Sequence, residues 1–310
     1  MTTRHAFIVM LIAAIAPVCA HAQDAEPAQT AEEIREERPA LRIGFRADQT
    51  VLFDTDLRGE DGDVFTSRSG VDASIIGRLS ENVSINFGIN GEFSHYDFDG
   101  ADTPLLTADD ALEDAYTTGL RLTGRRTIDE TWSVVGGGFA RAGLAEGADF
   151  DDAISGGGFI AAGYEHSEDF SIDFGVLATT RLEDDALVVP YIALEWKIDD
   201  RLTLTTTGLG ARLDAKIDER WSVFLRGRYE SRSYRLDDDF APLPGGVVRD
   251  ESFPLGVGVE FSPSRKISLL VEGGVVVGRE LEFFSDSEDE IRTIETDSGA
   301  FLGIRLVIAF

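Results

Sequence analysis

The chain has a single cysteine, Cys19, in a leading segment read below as removed. Disulfides and thiol chemistry are therefore excluded from the mature protein. Histidine is nearly as scarce. Of four in the sequence, His5 and His21 fall in the same leading segment, so only His95 and His166 remain for metal binding or acid–base work. Positive charge is also in short supply: 28 lysines and arginines stand against 57 aspartates and glutamates, for a formal charge of −29. A surface of that sign repels phosphate backbones, which argues against nucleic acid as a partner. No apolar run reaches the ~20 residues that a spanning helix needs.

The leading segment itself is patterned. Arg4 and His5 precede an apolar run from Ala6 to Val18, and Ala20-His21-Ala22 supplies a small-x-small cleavage site before polar Gln23 and Asp24. This predicts a secretory signal peptide over 1–22. Lipidation at Cys19 fits less well, because Val18 and Ala16 stand where a lipoprotein site wants a small residue and a leucine. Loss of Arg4 takes the charge from −29 to −30. Residues 23–40 are polar and read as a flexible periplasmic tail, leaving 41–310 for one domain.

From Leu41 onward side chains alternate in polarity with period two, the mark of strands. Val83, Ile85, Phe87, Ile89 and Phe93 oppose Ser84, Asn86, Asn90, Glu92 and Ser94; Trp221, Val223, Leu225 and Tyr229 oppose Ser222, Arg226, Arg228, Glu230 and Arg232. Tight turns such as Ser80-Glu81, Asp129-Glu130, Asp199-Asp200 and Asp218-Glu219 alternate with longer acidic connections such as 97–114 and 237–251. Short turns at one end and long loops at the other are the asymmetry of an outer-membrane barrel. The expected fold is all-β, a closed antiparallel transmembrane β-barrel of 12 to 14 strands. The choice turns on whether 201–217 reverses near Gly208–Gly210 to make two short strands.

In the last strand, read as Ile294 to Phe310, Ala300, Leu302, Ile304, Leu306, Ile308 and Phe310 share one face, while Glu295, Gly303 and Arg305 share the other. This strand resembles the C-terminal signature of outer-membrane barrels. The resemblance implies that Phe310 is an assembly signal read by the barrel-assembly machinery. The whole layout, with PYIALEWKI followed by a short strand pair, resembles an uncharacterised outer-membrane β-barrel family of proteobacteria.

The alternation places charges of both signs inside. Lumen-lining candidates are Arg121, Arg125, Arg226, Arg228, Glu230, Arg232, Glu272 and Arg305, with Arg46, Asp72, Glu92, Asp173 and Glu295 in the same phase. Such side chains either pair and plug the interior or line a hydrated pore. Inward glycines such as Gly88, Gly137, Gly157 and Gly163 leave room for long arginines or serve sheet curvature. No catalytic, cofactor or metal site is expected: His166 lies in a turn, and His95, beside Asp97 and Asp99, is in phase with the lipid-facing set and lacks a serine partner.

The functional expectation is a passive small-solute or ion channel in the outer membrane, porin-like and not an enzyme. The alternative is a structural or surface-interaction barrel with a plugged lumen, and an outer-membrane hydrolase ranks below both. Expected partners are outer-membrane lipid, lipopolysaccharide and the assembly machinery. The acidic loops also suggest divalent cations, although Asp237-Asp238-Asp239 lacks the glycine-turned spacing of a dedicated calcium loop, and solvated, mutually repelling loops are the plainer reading.

Overall fold

The computed structural model describes residues 41–107, 112–183 and 186–310; the expected signal peptide and tail lie outside them. The strands are β1 (Leu41–Asp56), β2 (Asp63–Ser80), β3 (Val83–Asp99), β4 (Asp114–Thr127), β5 (Trp132–Ala145), β6 (Ile154–Ser167), β7 (Phe170–Thr179) and β8 (Leu187–Lys197). They continue as β9 (Leu202–Thr207), β10 (Gly210–Lys216), β11 (Trp221–Arg228), β12 (Glu230–Arg235), β13 (Val247–Ser264), β14 (Ile267–Phe284), β15 (Glu290–Glu295) and β16 (Gly299–Ala309). A one-turn helix, α1 (Pro104–Thr107), lies between β3 and β4. Neighbours in sequence pair antiparallel around the sheet, and β1 meets β16 with Asp48 opposite Arg305. Because β11 runs on into β12 and β15 into β16, the sixteen segments make a closed barrel of fourteen staves. Residues 201–217 do reverse, at Gly208-Leu209, which decides the strand number.

The tight turns repeat a local device. In Ile128-Asp129, Ile198-Asp199 and Ile217-Asp218 the aspartate Oδ1 accepts the backbone N–H groups two and three residues on, at 2.7–2.9 Å. The preceding isoleucine N–H closes each turn onto the carbonyl of Trp132, Leu202 or Trp221. Aspartate does this because its short side chain can mimic a backbone acceptor.

Above these turns the outer face is apolar. Val71, Ile75, Phe87, Ile89, Leu120, Ile160, Leu225, Val257 and Leu302 are all exposed, an apolar belt far too continuous for a water-facing surface. Aromatic pairs rim its lower edge, Trp132 against Tyr164 at 4.9 Å and Trp221 against Phe261 at 4.5 Å, while Phe93 and Tyr116 pair at 5.3 Å at its upper edge. Ten residues separate Val83 from Phe93 on β3, about 25 Å along the axis for a tilted strand, which matches the apolar height of a membrane barrel. The structure is a transmembrane β-barrel.

Beyond the belt the barrel narrows. The short strands β9 and β10 end, and β8 pairs with β9 only from Ala193 to Lys197. Pro190, which has no N–H to satisfy, lies in the upper part of β8 beyond that pairing. After Tyr229, β12 leaves the outer wall and crosses to β5, pairing parallel at Arg235 and Leu144. The outer end is thus a smaller ring of β1, β2, β3, β4, β5, β12, β13, β14 and β15, closed by a bridge from Leu57 to Thr296. Nine alternating strands cannot all be antiparallel, so one parallel pair is required, and β5 with β12 supplies it. Gly143 makes the crossing possible: a side chain there would run into the Ser233 carbonyl.

The narrowing is built from bulges, each of which adds a residue and reverses which face the following side chains occupy. Register shifts occur on β1 between Leu52 and Thr55 and opposite Glu251–Phe253, where Gly278 takes φ 58°. Below Gly278, Glu272 and Val276 point inward; above it Arg279, Leu281 and Phe283 do. The last strand breaks similarly at 296–298, correcting its reading as one continuous element. Ile294 is buried inside and Glu295, expected in the lumen, is exposed against Arg58 at 3.2 Å. The acidic connection expected over 237–251 is also shorter, since 247–251 belong to β13.

Candidate functional site

The outer ring is filled from within. Leu57, Val64, Tyr96, Leu106, Leu112, Tyr234, Leu236, Phe240, Leu243, Leu281, Phe283 and Ile294 form one buried cluster. Leu106 on α1 and Leu236, Phe240 and Leu243 around the 237–246 loop thus turn inward, while Asp238 and Asp239 of that acidic loop remain exposed. Beneath the cluster Asp250 is fully buried and accepts from Arg68 Nη2 at 2.6 Å, Arg279 Nη2 at 3.0 Å and Tyr96 Oη at 2.9 Å. Arg279 also donates to Thr66 Oγ1 at 2.9 Å. Two cations, one carboxylate and a phenol meet here, the pairing that lets buried charge persist in a folded interior, with Arg68 Nε and Arg279 Nη1 left without a hydrogen-bond partner among the described residues. Together these groups fill the interior of the outer ring.

Below it lies a cavity of about 550 Å³ in the middle of the barrel. Six of the eight lumen-lining candidates border it: Arg226, Arg228, Glu230, Arg232, Glu272 and Arg305. Arg226 pairs with Glu272, and Arg228 with Glu230. Arg232 reaches Glu92 at 2.5 Å and Glu230 at 2.8 Å. Arg121 does not border the cavity; it makes a two-pronged pair with Asp72 at 2.5 and 3.0 Å. Arg125 sits nearer the rim of tight turns, donating to Ser133 Oγ and Asp173, both at 2.6 Å.

Two of the named glycines make room for arginine: a Cβ on Gly88 would lie 2.5 Å from Arg121 Cζ, and one on Gly163 2.7 Å from Arg125 Nη1. Gly137 and Gly157 instead accept the rings of Phe159 and Phe139. They belong to an apolar patch on the inner wall of β5–β8, where Phe159 stacks on Tyr191 at 4.7 Å beside Val135, Leu177 and Val189. The lumen is therefore charged on one side and apolar on the other.

Sequence reasoning missed Arg68, Asp250 and Arg279. Arg68 was recoverable, because it shares the phase of Asp72 on β2. Arg279 was not, because the bulge at Gly278 reverses its phase. His95 points away from the lumen and pairs with Asp114 at 2.8 Å, not with Asp97 or Asp99. His166 lies at the opposite rim beside Tyr164. Phe310, 67% exposed, accepts from Ile43 N–H and donates to its carbonyl, zipping the end of the chain to β1. Among the described residues no group of three or more His, Cys, Asp or Glu is arranged to hold a metal ion.

The fold and lumen define a fourteen-strand transmembrane barrel with a charged internal cavity. The chain belongs to the DUF6268 family, a domain of unknown function whose model matches residues 79–296. No curated protein matches the sequence. Among solved structures, the COG4313 outer membrane channel from Pseudomonas putida F1 is 12% identical, with 91% of this chain and 100% of that chain covered and a TM-score of 0.46. The Pseudomonas putida toluene transporter TodX is 8% identical, with 93% of each chain covered and a TM-score of 0.44. The KdgM porin is 9% identical over 85% of this chain and 97% of that chain, with a TM-score of 0.32. At these scores the barrel rests on the chain's own closed sheet and apolar belt.

Proposed function

We propose that this protein sits in the outer membrane of a Gram-negative-type bacterium and is a passive channel for small solutes or ions, with no catalytic step. The observation that carries the reading is the cavity: about 550 Å³, enclosed by a lipid-facing wall and bordered by eight arginines and five carboxylates. Charged walls around a space of that size serve passage better than stability, since a barrel interior built only for strength would be packed. The outer ring is the gate on this reading. Its packing also favours a second reading, a structural or surface-interaction barrel with a permanently plugged lumen. Lipopolysaccharide and divalent cations at the acidic loops, and the assembly machinery at Phe310, are the partners that go with either.

Purified protein in planar lipid separates the two. Wild type is expected to give small discrete currents, and Tyr234→Ala, which removes a ring from the plug, larger ones. Silence from both establishes the plugged reading. Deleting Phe310 should leave the protein degraded or periplasmic on fractionation; undiminished membrane-embedded protein would mean the terminal residue is not used for assembly.

A further inference from the structure

We propose that the mid-barrel cavity is a binding site for a small, multiply charged oxyanion, a di- or tricarboxylate or a phosphate, held between Arg46, Arg305 and Arg228. The inference rests on the cavity as solute path, and deepens that reading by naming the solute's chemistry.

The first observation is local charge. The chain carries −29 overall, yet the cavity is bordered by three more arginines than carboxylates, eight against five. The sign inside is opposite to the sign outside. The second is how unevenly the arginines are partnered. Arg232 and Arg226 have close carboxylates in Glu92 and Glu272. Arg46 and Arg305 share the single carboxylate of Asp48 at 3.7 and 4.0 Å, beyond hydrogen-bond length. Arg228 leans on Glu230, which already serves Arg232 at 2.8 Å and Arg68 at 3.9 Å.

The third observation is unmet donors. The Nε atoms of Arg46, Arg228 and Arg305 are buried with no hydrogen-bond partner among the described residues; Arg68 and Arg125 share that feature but have Asp250 and Asp173 at 2.6 Å, whereas the first three lean on shared carboxylates, and Arg305 faces Arg228 and Arg46 as like charges. A buried donor without an acceptor is unfavourable, and so is a group of like charges. An oxyanion with several oxygens relieves both at once, because planar guanidinium forks take carboxylate and phosphate oxygens in pairs. The volume falls within the ~300–1,000 Å³ of small-molecule sites. Lysine would serve this less well, and the chain has only Lys197, Lys216 and Lys266, none bordering the cavity.

The test is calorimetric titration of the purified full-length barrel with citrate and, separately, with inorganic phosphate, with spermidine as the oppositely charged control. Citrate or phosphate should bind, and which does so identifies the carboxylate or phosphate source. The double variant Arg46→Gln/Arg305→Gln should bind at least about tenfold more weakly, while Arg58→Gln on the outer rim should bind as wild type does. Asp48→Asn, which frees two guanidinium groups, should tighten binding several-fold, so the proposal stays testable if the double variant does not assemble. Binding of neither anion, equal binding by the double variant, preference for spermidine, or weaker binding by Asp48→Asn overturns the site. Current measurements on the same material keep the two readings apart. Anion binding without current sinks the channel and leaves the site, whereas cation-selective current without anion binding does the reverse.

Discussion

Asp250 in the outer ring and Asp48 in the barrel below do the same job with opposite completeness. Asp250 is fully buried and gathers Arg68, Arg279 and Tyr96 within 2.6–3.2 Å. Asp48 stands between Arg46 and Arg305 at 3.7 and 4.0 Å beside open space. Nine of the fourteen staves run through both regions, so the difference comes from what the stave made of β11 and β12 does. Where it stays in the wall, fourteen staves enclose a cavity. Where it crosses to β5, nine staves enclose a solid interior. A charge network in the narrow ring becomes a structural core, and one in the wide barrel keeps spare capacity.

The largest expected effect breaks the complete side of this comparison. Asp250→Ala leaves two buried guanidinium groups facing each other, and removing one partner of a buried pair typically costs ~3–5 kcal/mol. The outer ring should loosen, seen as a lower unfolding midpoint in denaturant and as new protease cleavage in 237–246, whereas Asp48→Ala should leave both nearly unchanged. Equal loss in the two variants would dissolve the distinction between packed ring and open barrel. The next effect sharpens the wall that both regions share. Leu225 is 59% exposed on the belt, and Leu225→Arg should hinder refolding into lipid vesicles by ~2–4 kcal/mol at mid-depth. Arg226→Gln, one residue on and facing the lumen, takes the cation from Glu272 but leaves an amide donor beside it at the cavity, so it should cost less than Leu225→Arg. Tolerance of Leu225→Arg with failure of Arg226→Gln would shift the register by one and turn every side chain of this strand over.

Most of the membrane-spanning wall was legible because alternation is a local signal repeated on every strand. Phe87 and Ile89 outside, Asn86 and Asn90 inside, need no knowledge of the rest of the chain. The outer ring was not legible for the same reason. A single extra residue at Gly278 or between Leu52 and Thr55 reverses the phase, so Arg279 and Leu57 carry the period of lipid-facing residues while lying inside. The crossing of β12 leaves no local mark either. Glu230, Arg232 and Tyr234 keep an unbroken alternation, and the partner that draws them inward, β5, is far away in sequence. Six of the eight candidate lumen residues border the cavity, but which arginines share a carboxylate depends on register across β1 and β16, which polarity cannot supply.

The smallest effect lies at the opposite rim from the ring, in turns that neither region depends on. Asp129, Asp199 and Asp218 each hold two backbone N–H groups, and for Asp199 those bonds, from Arg201 and Leu202, keep the carboxyl below its usual range. A carboxyl lowered in the folded state stabilises above its unfolded value, about 3.9, and loses that contribution as pH falls through the lower folded value. Asp199→Ala should therefore lower thermal stability slightly at neutral pH and match wild type more closely near pH 2. Asp199→Asn keeps an acceptor oxygen, so its turn should hold at both pH values. Because the turn closes only the short β8–β9 connection, the cavity and ring should be untouched: citrate binding and protease resistance of 237–246 should stay at wild-type levels in both variants. A change in either would mean that the rim of tight turns and the outer ring are mechanically coupled through β9 and β10, and that the two regions are less separate than their packing implies.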